Sequence, residues 1–149
     1  MILIFRKIYF LLIFTLIITL LGSCYIDKHC KKGVELAMKQ YDHLILKLDT
    51  DSIALLYTPD GDLGNIAHGR DSIRNFLSTF KNLKVLSQTS TTEFLKVNGD
   101  TSLQKGTYHQ TVVVGAKDTV NVKGEYTATW VWISKSGWHI KHMETKPIK

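Results

Sequence analysis

Val120-Asn121-Val122-Lys123-Gly124-Glu125-Tyr126-Thr127-Ala128-Thr129-Trp130-Val131-Trp132-Ile133 reads as one long strand, rich in β-branched and aromatic residues. Ser134-Lys135-Ser136-Gly137 follows as a turn, and Trp138 to Thr145 as the strand that closes the sheet. Working backwards, Gly115-Ala116-Lys117-Asp118 is a second turn and Thr101 to Val114 a second long strand. Asn98-Gly99-Asp100 is a hairpin signal, ending a Thr-, Val- and Ser-rich strand from Val85 to Val97. The second half of the chain is therefore a meander of four antiparallel strands.

Ahead of it the period changes. Val34, Ala37, Met38, Tyr41, Leu44, Ile45 and Leu48 follow helical spacing and form one apolar stripe, with Lys31, Lys32, Glu35, Lys39, Gln40 and Asp42 mostly outside it. Asp49-Thr50-Asp51 supplies capping residues for a short helix through Ile53 to Leu56. Pro59-Asp60-Gly61 reads as a turn. A third helix opens near Asp71, where Ile73, Phe76, Leu77 and Phe80 repeat the stripe. Three helices followed by a strand meander predict an α+β domain, with the helices packed on one face of a curved sheet.

The N-terminus has a different character. Arg6 and Lys7 precede an apolar run from Ile8 to Leu21, broken only by Thr15 and Thr19. That is the pattern of a secretory signal, and the run is short for a membrane span of about 20 residues. Leu21-Gly22-Ser23-Cys24 resembles a bacterial lipobox. The resemblance implies cleavage after Ser23 and acylation of Cys24, which would hold the chain on a membrane. An ordinary signal peptide and an uncleaved anchor are the alternatives. The expected organisation is a signal peptide over 1–23, an acylated tether over 24–28 and a folded domain over 29–149. With Cys24 acylated, Cys30 has no partner for an intramolecular disulfide. The expected address is the bacterial cell envelope, with the outer membrane facing the periplasm as the first choice.

The whole chain has 19 Lys+Arg against 13 Asp+Glu; without Arg6 and Lys7 the balance is 17 against 13, a net of +4. Those cations are dispersed, and nucleic-acid binding needs a concentrated basic face, so no nucleic acid is expected. The six histidines form no compact metal motif, and His139 and His142, three apart on a strand, should point to opposite faces. No metal and no cofactor are expected.

The order of elements carries a resemblance. Leu56-Tyr57-Thr58-Pro59-Asp60-Gly61, then Gly69-Arg70-Asp71-Ser72-Ile73-Arg74-Asn75-Phe76, then Gly124-Glu125-Tyr126, Trp130-Val131-Trp132 and Gly137-Trp138-His139-Ile140 resemble the NTF2-like superfamily, in particular its SnoaL-like and DUF4440 branches. The resemblance covers roughly Cys30 to the C-terminus. It implies a cone: a bent antiparallel sheet wrapped around a long N-terminal helix, with two shorter helices and a pocket at the open end. Members include ketosteroid isomerases, polyketide cyclases, dehydratases and non-catalytic binding or assembly domains, so the fold leaves function open.

The isomerase branch implies three catalytic groups. Tyr41 precedes Tyr57 by the sixteen residues that place the oxyanion tyrosine, although Tyr41 also lies on the apolar stripe of its own helix. The base position falls at Asn65, beside Gly64, and the second donor at Thr129. Neither can replace an acidic group. Isomerase chemistry of that kind is not expected.

The same register implies a pocket lined by Tyr41, Tyr57, Asn65, His68, Tyr108, Thr127, Thr129, His142 and Glu144. It rests on Glu125, Thr127 and Thr129 sharing an inward face, on a two-residue turn at Ala116-Lys117 that brings Gly106, Tyr108 and Gln110 to that face, and on Ile140, His142 and Glu144 joining them. A single bulge would invert any of these assignments. His142 with Glu144 is then the candidate acid–base pair, with Tyr41 as a third catalytic candidate. Tyr126, Trp130 and Trp132 would form an outward apolar row, the surface expected to make a homodimer. With the opposite parity they line the pocket and suit an apolar or planar ligand. The expectation is an exported, lipid-anchored domain that binds a small molecule or serves as a dimeric accessory module. The alternative is an isomerase, cyclase or dehydratase.

Overall fold

The computed structural model describes residues 30–115 and 118–148; the signal segment and the whole tether, Cys24 included, lie outside them. From Lys31 onward the chain forms one compact unit. Helix α1 (Lys31–Lys47) leads into α2 (Thr50–Leu56), then come β1 (Tyr57–Leu63), β2 (Ala67–His68), α3 (Arg70–Ser78), β3 (Lys84–Asn98), β4 (Thr101–Val114), β5 (Asp118–Ile133) and β6 (Gly137–Pro147). The fold is the α+β cone that the sequence predicts: three helices and a curved, unclosed sheet.

Helix α1 buries its stripe through Val34, Met38 and Ile45, which join a core with Ile53, Ile73, Trp130, Ile140 and Met143. Its last turn closes on Leu48 at φ 49°, and Asp49 then caps α2 by accepting a 3.1 Å bond from the Ser52 amide. Arg74 on α3 ties that helix back to α2 through Asp51 at 2.6 Å.

The sheet has six strands in the order β2-β1-β6-β5-β4-β3, not four. The added strands come from the stretch around Pro59-Asp60-Gly61, which reads as a turn in sequence but lies within β1. This strand runs parallel to β6, with Tyr57 opposite Ile140 and Leu63 opposite Met143. Its register shifts between Tyr57 and Asp62, and the exposed Pro59 falls inside that irregular part. A residue without an amide hydrogen is tolerated there. Arg70 secures the segment by donating from Nε to the Tyr57 carbonyl at 2.8 Å.

Two further departures set the sheet's faces. Val114 pairs with Asp118, so three residues separate β4 from β5 instead of two. A one-residue slip moves a whole strand's side chains to the other face. Tyr126, Ala128 and Trp130 therefore point inward and are at most 4% exposed, while Glu125, Thr127 and Thr129 point outward. The second departure is a bulge in β6: Trp130 pairs with Ile140 but Thr129 pairs with His142. Ile140 stays inward; His142 and Glu144 go to the outer side, and Met143 takes the inner one. The same bulge puts His139, opposite Val131, on the face that His142 occupies, contrary to the alternation expected for residues three apart.

Candidate functional site: an apolar cavity at the open end of the cone

At one end of the inner face the core is solid. Trp130 is fully buried and donates its indole N–H to Gln104 at 2.9 Å; Gln104, also fully buried, donates to Thr92 at 2.8 Å. A buried amide would be costly unpaired, and here both of its ends are used. Trp132 and Trp138 stack edge to face at 5.6 Å on the same side.

Toward the other end the packing opens into a cavity of about 370 Å³. That volume lies in the range of small-molecule sites. Helix α1 contributes Met38, Tyr41 and Ile45; α3 and the turn after it contribute Phe76, Leu77 and Phe80. The sheet supplies Gln88 and Ser90 from β3, Tyr108, Gln110 and Val112 from β4, and Tyr126 from β5. Leu63 and Met143 close the wall formed by the parallel pair. The mouth is apolar as well: Ile66 is 61% and Phe80 37% exposed.

Two glycines make the room. Across β4 and β5, Gly106 faces Tyr126 and Tyr108 faces Gly124, so each tyrosine ring lies over a residue with no side chain. A methyl at Gly124 would stand 2.6 Å from Tyr108 Cζ and from the Lys146 carbonyl oxygen; one at Gly106 would run first into the Thr91 carbonyl of the neighbouring strand and then meet Tyr126 Cε1 at 3.0 Å. The pairing lets both rings approach the sheet closely, and both line the cavity.

Two of the polar lining residues, Gln88 and Ser90, share the β3 wall; Gln110 lies on β4 and Thr145 on β6. Asp42, on α1, accepts from Gln88 Nε2 at 3.0 Å, from the Ser90 hydroxyl at 2.7 Å and from the Ser90 amide at 2.8 Å. The carboxylate stitches the helix to the sheet edge and lies directly behind two cavity-lining side chains. Burial pushes the Tyr41 phenol up to about 12, with the neighbouring Tyr57 hydroxyl pulling it partly back and the Asp42 charge adding to the rise. Tyr57 is raised as well, by burial first and then by Tyr41, although its hydroxyl stops short of a formed hydrogen bond. Burial raises Tyr126 and Tyr108 too. At neutral pH these phenols are protonated, able to donate or accept.

Of the residues the sequence placed around a pocket, Tyr41 and Tyr108 line the cavity, and Tyr57 is buried next to Tyr41. Asn65 is an exposed turn residue next to the rim residue Ile66. Thr127, Thr129, His142 and Glu144 lie on the opposite face of the sheet and do not converge with the tyrosines. The pairing of His142 with Glu144 is replaced by another: Asp62 holds His68 at 2.5 Å and stands 3.8 Å from His142, all on the outer side of the β1–β6 pair. The aromatic row is also reassigned. Tyr126 and Trp130 are core residues and Trp132 packs against them, so they form no outward surface. Sequence reasoning missed Gln88, Ser90 and Asp42, whose connection spans 46 and 48 residues of chain. The apolar wall from α3 was visible as the stripe of Phe76, Leu77 and Phe80, without any sign that it faces empty space.

Among the described residues, no three His, Cys, Asp or Glu side chains gather as a metal site, and no helix is long and apolar enough to cross a membrane.

No family model matches the sequence, and no curated protein matches it. Solved structures do. A ketosteroid isomerase-like protein from Erwinia carotovora atroseptica superposes with a TM-score of 0.71 at 14% identity, over 83% of this chain and 98% of that one. An NTF2-like superfamily protein from Salmonella enterica gives 0.66 at 19% identity, over 80% and 91%. An NTF2-like protein with a cystatin-like fold from Novosphingobium aromaticivorans gives 0.66 at 15% identity, over 80% and 82%. The chain has the NTF2-like fold.

Proposed function

We propose that this protein is an exported, lipid-anchored binding domain that holds one small, largely apolar molecule in the open end of its cone. The cavity carries the reading: about 370 Å³ of space, walled mainly by aliphatic and aromatic side chains, with a few polar groups among them. None of the lining side chains is Asp, Glu, His, Lys or Arg, so no acid–base pair lies within reach of a bound molecule. Tyr41, protonated up to about pH 12, can hold an acceptor atom in place but has no base beside it in the wall. Binding is therefore favoured over turnover. The anchor reading rests on Leu21-Gly22-Ser23-Cys24 and the apolar run before it.

Native mass spectrometry of the gently purified full chain tests the pocket. The expected result is a retained adduct in the unaltered protein that disappears in Val112→Trp, which fills the cavity from β4. An adduct that survives this substitution would place the molecule elsewhere. Metabolic labelling with a fatty acid tests the anchor. Label should appear in the unaltered chain and be lost in Cys24→Ser; an unlabelled chain would remove the anchor.

A further inference from the structure

On the β3 side of the cavity, three donors are turned away from the bound molecule toward Asp42. Gln88 spends an N–H, and Ser90 spends both its hydroxyl hydrogen and its amide, on the Asp42 carboxylate. What these side chains have left for the cavity is the Gln88 carbonyl oxygen, the lone pairs of the Ser90 hydroxyl and the second Gln88 N–H, acceptors outnumbering the one donor. Among the described residues Asp42 has no basic partner within ion-pair distance, and its three hydrogen-bond donors are all neutral groups. Its charge is therefore not cancelled locally. It sits one residue layer behind the wall, in a half-buried position between α1 and β3, where water screens a charge less than at the surface. The field reaches the cavity: Asp42 is among the groups that raise the lining tyrosines Tyr41 and Tyr126.

From this arrangement we infer that the ligand is a lipophilic amine, an apolar body carrying a protonated amino group that donates to the Gln88–Ser90 wall in front of Asp42. The inference rests on the pocket reading above and sharpens it. A carboxylate could accept from the lining tyrosines, but it would meet the negative field of Asp42 at the Gln88–Ser90 wall with no cationic side chain in the lining to offset it. A neutral alcohol of the same shape falls between the two. Asp42 acts here through space and through Gln88 and Ser90, as a positioning residue.

Three probes with one ring system separate the possibilities: 2-naphthylmethylamine, 2-naphthylmethanol and 2-naphthoate, titrated at pH 7 and low salt into the full chain in a non-ionic detergent. Val112→Trp in the same detergent is the blank that removes micelle uptake, and the readout is ligand-observed NMR. The amine should bind at least about tenfold more tightly than the carboxylate, about 1.4 kcal/mol, with the alcohol between. Added salt should narrow that ratio. Asp42→Asn, which keeps the size and one acceptor, should bring the amine close to the alcohol. If the carboxylate binds as well as the amine, this inference fails and the pocket reading stands. If none of the three binds above the blank, the pocket reading fails first. An amine preference that survives unchanged in a folded Asp42→Asn overturns the role of Asp42. Should that variant not fold, the charge series and its salt dependence in the unaltered chain decide alone.

Discussion

The two ends of the cone share one sheet face and differ in how it is covered. At the closed end, Trp130 fills the space between sheet and helices, and its one polar atom is answered by Gln104. At the open end, four to six residues further along the strands, Gly106 and Gly124 stand opposite tyrosines and nothing fills the volume above. The same alternation of β4 and β5 thus builds a core in one place and a container in the other. What distinguishes them is side-chain volume at a few inward positions. Stability should be concentrated at the closed end and binding at the open one.

The largest expected effect comes from breaking the closed end. Trp130→Ala should cost about 3–5 kcal/mol, because it leaves a void the surrounding strands cannot collapse into and strands Gln104 without its donor. Chemical denaturation of the full chain measures it; a loss below 1 kcal/mol would mean that this end is not the stable one. Gly124→Ala probes the open end. The added methyl meets the Tyr108 ring and the Lys146 carbonyl, and overpacking of this kind costs roughly 1–3 kcal/mol. It should also shrink the cavity, so retention of an adduct should fall along with stability. A variant of full stability and full retention would show that the glycine–tyrosine pairing is not what holds the space open.

Alkaline titration gives a smaller and more selective contrast. Tyr41 is raised to about 12 in the folded chain, against an ordinary value near 10. A group raised on folding stabilises the protein fully below its unfolded value and loses that contribution as pH climbs through the folded one. Unfolding should therefore steepen between about pH 10 and 12, and Tyr41→Phe should flatten part of that slope. Tyr57, raised from the same cause, should keep the rest. The smallest effect is expected outside the cone, at the exposed cluster around Asp62. The bond from His68 holds the Asp62 carboxyl below its usual range. Its contribution is present above the unfolded value near 4 and disappears as pH falls through the lowered folded value. Asp62→Asn should be slightly less stable than the unaltered chain at pH 6 and indistinguishable from it in strong acid. Lost binding in that variant would contradict the separation of the outer cluster from the cavity.

Much of the fold was legible because it is written in local periodicity. The apolar stripe of α1, the Asp49 cap and the hairpin signal at Asn98-Gly99 each depend on neighbours within a few residues, and each appears where the pattern puts it. The site was legible only in part. Tyr41 and Tyr108 line the cavity, but five of the nine pocket residues lie on the outer side: His68 beside Asp62, and Thr127, Thr129, His142 and Glu144 for two countable reasons, one extra residue in the β4–β5 connection and one bulge in β6. Period-two arguments carry no memory of where the count started, so a single unpaired residue reverses every assignment beyond it.

By itself, then, the sequence determined the α+β class of the fold and the order of its three helices and four long strands, since these follow from composition and short-range spacing. Only the tertiary structure decided which side of each strand faces inward, because that depends on pairing between strands. It alone joined Asp42 to Gln88 and Ser90 across more than forty residues of chain. It alone showed that the aromatic row is core and that the unfilled space is bordered by Tyr108 and Tyr126, because a cavity is a property of packed volumes and has no local signature.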